Sequence, residues 1–358
     1  MRILQVITSL SIGGAEKLIA EIVPLLRSKG HEVDVLAFDG KETHFLRMLR
    51  EQGIRVMSFG ENCNVYNPLF IFRLTKLMRK YDIVHTHNTA CQLFAAIGSV
   101  LCSVVLCTTE HTTSNRRRAW KWYAPVDRWM YTRYKKVICI SDKAEENLRA
   151  THPSLQNLCT IYNGVNVQKF HDALPLPNIK PKGKKVLTMV AGFRYQKDQT
   201  TLIKALTHLD ANGYELWLVG DGEFRGELES LARELGVGDR VKFLGIRPDV
   251  PELLKTADVV VMSSHFEGLS LSSVEGMSVG KPFVASDVDG LHEVVSGYGV
   301  LFPHGDDKAL ANVLNQLCTH PDYYQQVAEK CWERAQMFDI HKMVDNYHQV
   351  YLEVMKGE

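Results

Sequence analysis

The chain has 358 residues, and its 42 Lys and Arg stand against 41 Asp and Glu, a net charge of +1. That balance excludes a general polyanion binder, because nucleic-acid domains carry a marked excess of positive charge. Hydrophobic residues make up 45% and charged residues 23%, which excludes extensive disorder, and at ~150 residues per domain the length allows about two domains with cores of their own.

Short β-rich runs alternate with longer amphipathic ones, the pattern of a parallel α/β sheet. Strands are predicted at residues 3–7, 33–37, 55–58, 83–86, 104–108, 136–140 and 158–161, with helices such as 15–28 and 68–80 between them. The apolar N-terminus is too short for a signal-peptide core with its cleavage site and fits a first strand. Residues 83–109 lack Asp, Glu, Lys and Arg and are long enough to span a bilayer. Their polar content (His85, His87, Asn88, Gln92, Thr108, Thr109) predicts a helix followed by a strand instead. Residues 171–185, with Pro175, Pro177, Pro181 and four lysines, predict a linker. The alternation restarts at 186–190, 215–219, 241–244, 259–262, 282–285 and 300–302, and helical stretches at 322–337 and 341–355 close the chain. The expected architecture is α/β, with Rossmann-like domains at 1–170 and 186–338 facing each other across a cleft. The eight cysteines form no C-x-x-C pair, which predicts free buried thiols in a reducing cytosol rather than disulfides or zinc.

Five constellations could carry chemistry. Gly13-Gly14-Ala15-Glu16 follows the first strand and opens a helix, where paired glycines let a ligand approach free N–H groups; a ligand-free turn is the alternative, since no G-x-G-x-x-G is present. Thr109-Glu110-His111-Thr112 ends a strand at the sheet edge where α/β proteins bind ligands, so His111 is a candidate for holding a substrate hydroxyl. His85 and His87, at a similar edge, read as satisfied loop histidines. Residues 115–136 gather Arg116, Arg117, Arg118, Lys121, Arg128, Arg133, Lys135 and Lys136 against Asp127 alone, interleaved with Trp120, Trp122, Trp129, Tyr131 and Tyr134. That mixture suits an anionic membrane interface or a phosphorylated lipid, the alternative being a solvated helix with core aromatics.

The fourth constellation, Gly192-Phe193-Arg194-Tyr195-Gln196-Lys197, places two cations after a strand, suited to a diphosphate. The fifth, Glu267-Gly268-Leu269-Ser270-Leu271-Ser272-Ser273-Val274-Glu275, sets one carboxylate in a loop and one inside a helix capped by Ser270 or Ser272. The helix N-terminus would receive phosphate and each Glu a pair of sugar hydroxyls. Asp287-Val288-Asp289 fits a loop better than a metal clamp.

Taken in order with Tyr162-Asn163-Gly164-Val165-Asn166, Leu218-Val219-Gly220-Asp221-Gly222 and Phe243-Leu244-Gly245, these motifs make the chain resemble the retaining glycosyltransferases of family 4, with the GT-B fold, among them bacterial capsule and lipopolysaccharide transferases. The resemblance implies that residues 339–358 form a helix returning to the first domain. It implies His111, Glu267, Arg194 and Lys197 as catalytic residues, His111 lying near the donor sugar and Lys197 on the diphosphate. Gly13, Gly14, Gly192, Gly220, Asp221, Gly222, Gly268, Leu269, Ser270, Leu271 and Glu275 would bind the donor, Glu275 by its ribose. Gly192 stands where many members carry an arginine, a role that Arg194 would take from a shifted position. The implied activity needs no metal or cofactor: a hexose-type sugar passes from a nucleotide donor, expected to be a UDP-sugar, to a glycan or polyprenol-linked acceptor. The expected place is the cytoplasm at the inner face of the membrane, with peripheral contact through residues 116–136 and no nucleic-acid partner. A nucleotide-sugar epimerase of the same form is the alternative.

Overall fold

The computed structural model describes residues 1–11, 13–111, 123–268 and 270–357, and the chain divides into two compact units, Met1–Gly164 with Ile340–Glu358, and Val165–Asp339. In the first unit, strands β1 (Arg2–Ile7), β2 (Glu32–Asp39), β3 (Val56–Gly60), β4 (Ile83–His87), β5 (Val105–Glu110), β6 (Lys136–Cys139) and β7 (Leu158–Thr160) alternate with α1 (Gly14–Ser28), α2 (His44–Glu51), α3 (Leu69–Met78), α4 (Thr89–Gly98), α5 (Ala124–Thr132) and α6 (Asp142–Thr151). The strands form one parallel sheet in the order β3-β2-β1-β4-β5-β6-β7. Both faces are covered, which is why the strands read as apolar runs. Leu4 and Val6 join the core made with α3, α4, α5 and α6, while Ile3 and Ile7 face α1, α2 and the last helix.

The second unit contains α7 (Val167–His171), β8 (Lys185–Val190), α8 (Gln199–Thr207), β9 (Tyr214–Val219), α9 (Arg225–Glu234), β10 (Val241–Gly245), α10 (Val250–Thr256), β11 (Val259–Met262), α11 (Leu271–Ser278), β12 (Phe283–Ser286), α12 (Leu291–Val295), β13 (Val300–Phe302), α13 (Asp307–Thr319) and α14 (Pro321–Gln336). Its sheet is parallel in the order β10-β9-β8-β11-β12-β13, the nucleotide-binding order whose direction reverses between the first and fourth strands. The last helix, α15 (Ile340–Lys356), belongs to the first unit, where Tyr347 and Tyr351, one turn apart, are fully buried.

The boundary between the units falls at Gly164 and Val165, ahead of the segment expected to link them. Residues 171–185 belong to the second unit, tied down by Leu176 N–H donating to Thr256 Oγ1 at 2.7 Å and by the Lys180–Asp258 ion pair at 2.9 Å. The charge-free stretch 83–109 folds as β4, α4 and β5, and among the described residues no helix is long and apolar enough to cross a membrane. The eight cysteines are free thiols, with Cys91, Cys107, Cys139 and Cys331 buried.

The basic aromatic segment is described from residue 123 onward. Met130, Tyr131 and Tyr134 are core side chains, so the membrane-facing reading does not hold for them; their hydrophobic area is spent under the sheet. Trp129 and Val126 remain exposed on α5.

Candidate active site

In the second unit the chemistry gathers at the switch point, where the loops after β8 and β11 lie side by side. After β8 the chain makes a short 3-10 turn, Tyr195–Lys197, and Asp198 takes a left-handed conformation (φ 47°). Asp198 then caps α8, its carboxylate accepting from Thr201 N–H at 3.2 Å and Thr201 Oγ1 at 2.6 Å. Ser263 Oγ donates to Asp198 O at 2.7 Å, His265 N–H to Gln196 O at 2.8 Å and Gln196 Nε2 to Phe266 O at 2.9 Å, so the two loops are stitched together. The result is a direct ion pair between Lys197 Nζ and Glu267 Oε1, with Ser264 Oγ donating to the same carboxylate oxygen at 2.7 Å. The Glu267 side chain is 7% exposed and that of Lys197 20%. A buried carboxylate is tolerable only with such partners. Arg194 is exposed, and no acidic partner holds it among the described residues.

Ser270 caps α11, its Oγ accepting from Ser273 N–H at 3.3 Å, and Leu271 is the first residue of that helix. Glu275 is buried one turn further on, and Ser273 Oγ is buried without a hydrogen-bond partner among the described residues. Leu269 lies outside the described residues.

The glycines separate by cause. A Cβ on Gly220 (φ 138°) would meet Ala191 O at 2.1 Å, and one on Gly222 would meet Phe193 O at 2.3 Å. The fold itself therefore demands both, because the loops after β8 and β9 are braided there: Phe193 N–H donates to Asp221 O and Phe224 N–H to Phe193 O. Asp221 is exposed and accepts from Gly222 N–H at 2.8 Å. Gly268 and Gly14 have open space where a side chain would stand, and Gly192 has only ordinary contacts. Neither packing nor a positive φ requires glycine at Gly14, Gly192 and Gly268.

In the first unit, Gly13 caps α1, and the Glu16 carboxylate occupies the place of a Gly13 side chain. It accepts from its own backbone N–H, and burial raises its pKa. Two residues onward from the register pair Gln5–His85, the adjacent ends of β4 and β5 build a polar ladder. His87 Nδ1 lies 2.8 Å from His111 Nε2, and His87 Nε2 is 2.7 Å from Gln5 Oε1. Gln5 Nε2 donates to Tyr351 OH at 3.0 Å, which is 2.7 Å from His85 Nδ1. His85 Nε2 reaches Thr109 Oγ1 at 2.8 Å, which in turn meets Tyr347 OH at 3.0 Å. The rings of His85 and His87 stack at 4.6 Å. Desolvation pushes His85 down to about 3 and His111 to about 4, and takes His87 well below the usual histidine range, so all three are neutral at pH 7.

His85 and His87 are therefore strand residues rather than loop histidines, and the sequence reading missed their link to His111. Their spacing of two within a strand, and the lone polar Gln5 inside Ile3-Leu4-Gln5-Val6-Ile7, were the available signals. Glu110 points to the other face, accepting from Tyr131 OH at 2.7 Å and Gln92 Nε2 at 2.5 Å.

Among the described residues, one group of side chains could hold a cation: Asp198, His265 and His304 bring ligand atoms within 4.8 Å of one another. Their present bonds are internal, with His265 Nδ1 2.7 Å from His304 Nε2 and Asp198 capping α8.

Comparison with known proteins gives this geometry a family. The description "Glycosyltransferase Family 4" matches residues 12–169 and "Glycosyl transferases group 1" matches residues 172–334. The Escherichia coli UDP-Gal:alpha-D-GlcNAc-diphosphoundecaprenol alpha-1,3-galactosyltransferase is 27% identical over 80% of this chain and 79% of its own. Mycobacterium tuberculosis glycogen synthase is 26% identical over 97% of this chain and 92% of its own. Among solved structures, Anabaena Alr3699/HepE in complex with UDP superposes with a TM-score of 0.86 at 24% identity, covering 99% of this chain and all (100%) of the other, and so shares the GT-B fold. With each half matched by a glycosyltransferase family of its own, the chain belongs to the group 1 and family 4 glycosyltransferases and is a transferase enzyme.

Proposed function

We propose that this chain is a retaining, metal-independent transferase that moves a hexose-type sugar from a UDP-sugar to a lipid-linked or surface-glycan acceptor. The observation that carries the reading is the Lys197–Glu267 pair at the switch point of the second sheet. Lys197 and Arg194 take the diphosphate oxygens, helped by the free N–H groups of α11. Glu267 takes sugar hydroxyls and Glu275 the ribose. In the first unit, His111 takes a substrate hydroxyl. Breaking the sugar–phosphate bond leaves negative charge on the departing nucleotide and an oxocarbenium-like sugar. In this reading Arg194, Lys197 and the helix N–H groups stabilise that charge without a divalent ion.

A UDP donor and a lipid diphosphate acceptor are supported by the name of the Escherichia coli relative, and UDP also by the Anabaena complexes with UDP and UDP-glucose. Peripheral contact with an anionic membrane, at its cytoplasmic face, is supported by exposed Trp129 and Val126 on α5 beside Arg128, Arg133 and Lys135. Exposed Leu69 and Phe72 on α3, with Lys76 and Arg79, extend the same combination of apolar and cationic side chains.

The test is a thermal-shift screen of nucleotide sugars, followed by mass spectrometry of the best donor incubated alone and with a polyprenyl-diphosphate sugar. A glycosylated lipid formed only when acceptor is present supports the reading. An isomerised donor without acceptor would make the enzyme an epimerase.

A further inference from the structure

The ladder that ends at His111 has one polarity throughout, and a single amide sets it. Gln5 turns its Nε2 toward Tyr351 OH and its Oε1 toward His87 Nε2. An amide oxygen only accepts, so His87 carries its proton on Nε2 and offers Nδ1 as a lone pair. His111 Nε2, at 2.8 Å from that lone pair, must then be protonated, and His111 Nδ1 is left without a proton. A second proton cannot be added without setting two N–H groups against each other across that contact. On the other side Tyr351 OH, receiving from Gln5, donates to His85 Nδ1, and His85 Nε2–H passes to Thr109 Oγ1. Gln5, His85, His87, Thr109, Tyr347 and Tyr351 are all fully buried or nearly so. A buried hydrogen-bonded network of this kind holds its members in one arrangement.

We propose that Gln5 and His87 are positioning residues that hold His111 as the Nε2–H tautomer, so that its Nδ1 is a hydrogen-bond acceptor reserved for a substrate hydroxyl. The inference rests on the reading of His111 as a substrate-contacting residue. It narrows what the first unit takes: a group that donates, such as a sugar hydroxyl, and not a phosphate oxygen or a carbonyl, which could only accept. It also gives α15 a part in the chemistry, since Tyr351 holds the amide that sets the polarity.

The test uses the full chain labelled with ¹⁵N-histidine. Long-range ¹H–¹⁵N spectra at pH 7, assigned with His87→Gln and His111→Gln, are expected to show Nε2 protonated and Nδ1 unprotonated in both rings. Either ring in the Nδ1–H form overturns the relay, whatever the activity. Gln5→Glu, which keeps an acceptor toward His87, is expected to preserve the His111 tautomer; Gln5→Leu, which removes it, is expected to give mixed signals at an unchanged fold. The substrate arm uses donor sugars with one hydroxyl at a time replaced by fluorine, which accepts but does not donate. One analogue is expected to bind about tenfold more weakly to the wild type and to lose nothing further in His111→Ala. If the tautomers are as expected and no analogue behaves so, the hydroxyl assignment falls while the relay stands.

Discussion

Glu267→Gln separates two jobs that the Lys197–Glu267 pair performs. In the free protein the Glu267 carboxylate neutralises Lys197, and it stands as a like charge against any diphosphate that Lys197 binds. A phosphate on Lys197 would sit about 6 Å from that carboxylate, and at an effective dielectric of about 20 the repulsion is about 3 kcal/mol, reduced to about 1 by partial solvent screening. Replacing the carboxylate with an amide of the same shape removes the repulsion and keeps an acceptor for Ser264 Oγ. Isothermal calorimetry is therefore expected to show UDP binding about fivefold more tightly to the variant. Turnover moves the other way, because the negative charge beside the oxocarbenium-like sugar is lost, at a cost of about 100-fold or more. Tighter UDP binding with slower transfer is the signature. Unchanged or weaker UDP binding would refute the placing of the diphosphate on Lys197.

Gly220→Ala forces a Cβ to 2.1 Å from Ala191 O at φ 138° and is expected to cost at least ~2 kcal/mol of stability by chemical denaturation. Gly268→Ala meets open space, so the same assay should show little change while UDP-sugar affinity falls; the reverse pattern would mean the glycines have been sorted wrongly. His85, His87 and His111 prefer to be neutral when folded, because desolvation lowers His85 to about 3 and His111 to about 4 and takes His87 well below the ordinary 6.5. The unfolded chain therefore binds more protons below pH 6.5, and stability is expected to fall steadily as pH drops from 6.5 toward 4. A melting temperature that stays flat over that range, in the wild type but not in His87→Gln, would contradict the ladder. Excess EDTA is expected to leave transfer unchanged, and so is His304→Ala, which removes one member of the Asp198–His265–His304 trio; loss of activity in both, restored by zinc in the wild type alone, would make the trio a metal centre.

Much of the fold was legible because buried parallel strands read as apolar runs between glycine and proline breaks. The strand at 259–262 and the one at 186–190 are examples, and each is found within a residue of its expected place. The class of fold follows from that alternation, and the switch-point rule directs attention to the loops that follow β8 and β11. Pairings across the sheet were not legible. Lys197 and Glu267 lie 70 residues apart, and nothing local to either says that they touch. The same holds for Gln5 and Tyr351, one a polar residue in an apolar strand and the other a buried position of the last helix. Their contact depends on α15 folding against the first sheet, which periodicity alone does not specify. The strand expected at 83–86 runs on to His87, and histidine inside a buried strand is tolerable there because the ladder satisfies both rings.

In the proposed reaction protein cations take up the charge of a departing nucleoside diphosphate. This is tested most directly by measuring UDP release and sugar transfer together, by mass spectrometry in EDTA, for the wild type and Lys197→Met. UDP and glycosylated acceptor are expected in equal amounts from the wild type, and both reduced by about 100-fold in the variant at saturating donor. Equal rates in the two proteins, or donor consumed without UDP appearing, would contradict it.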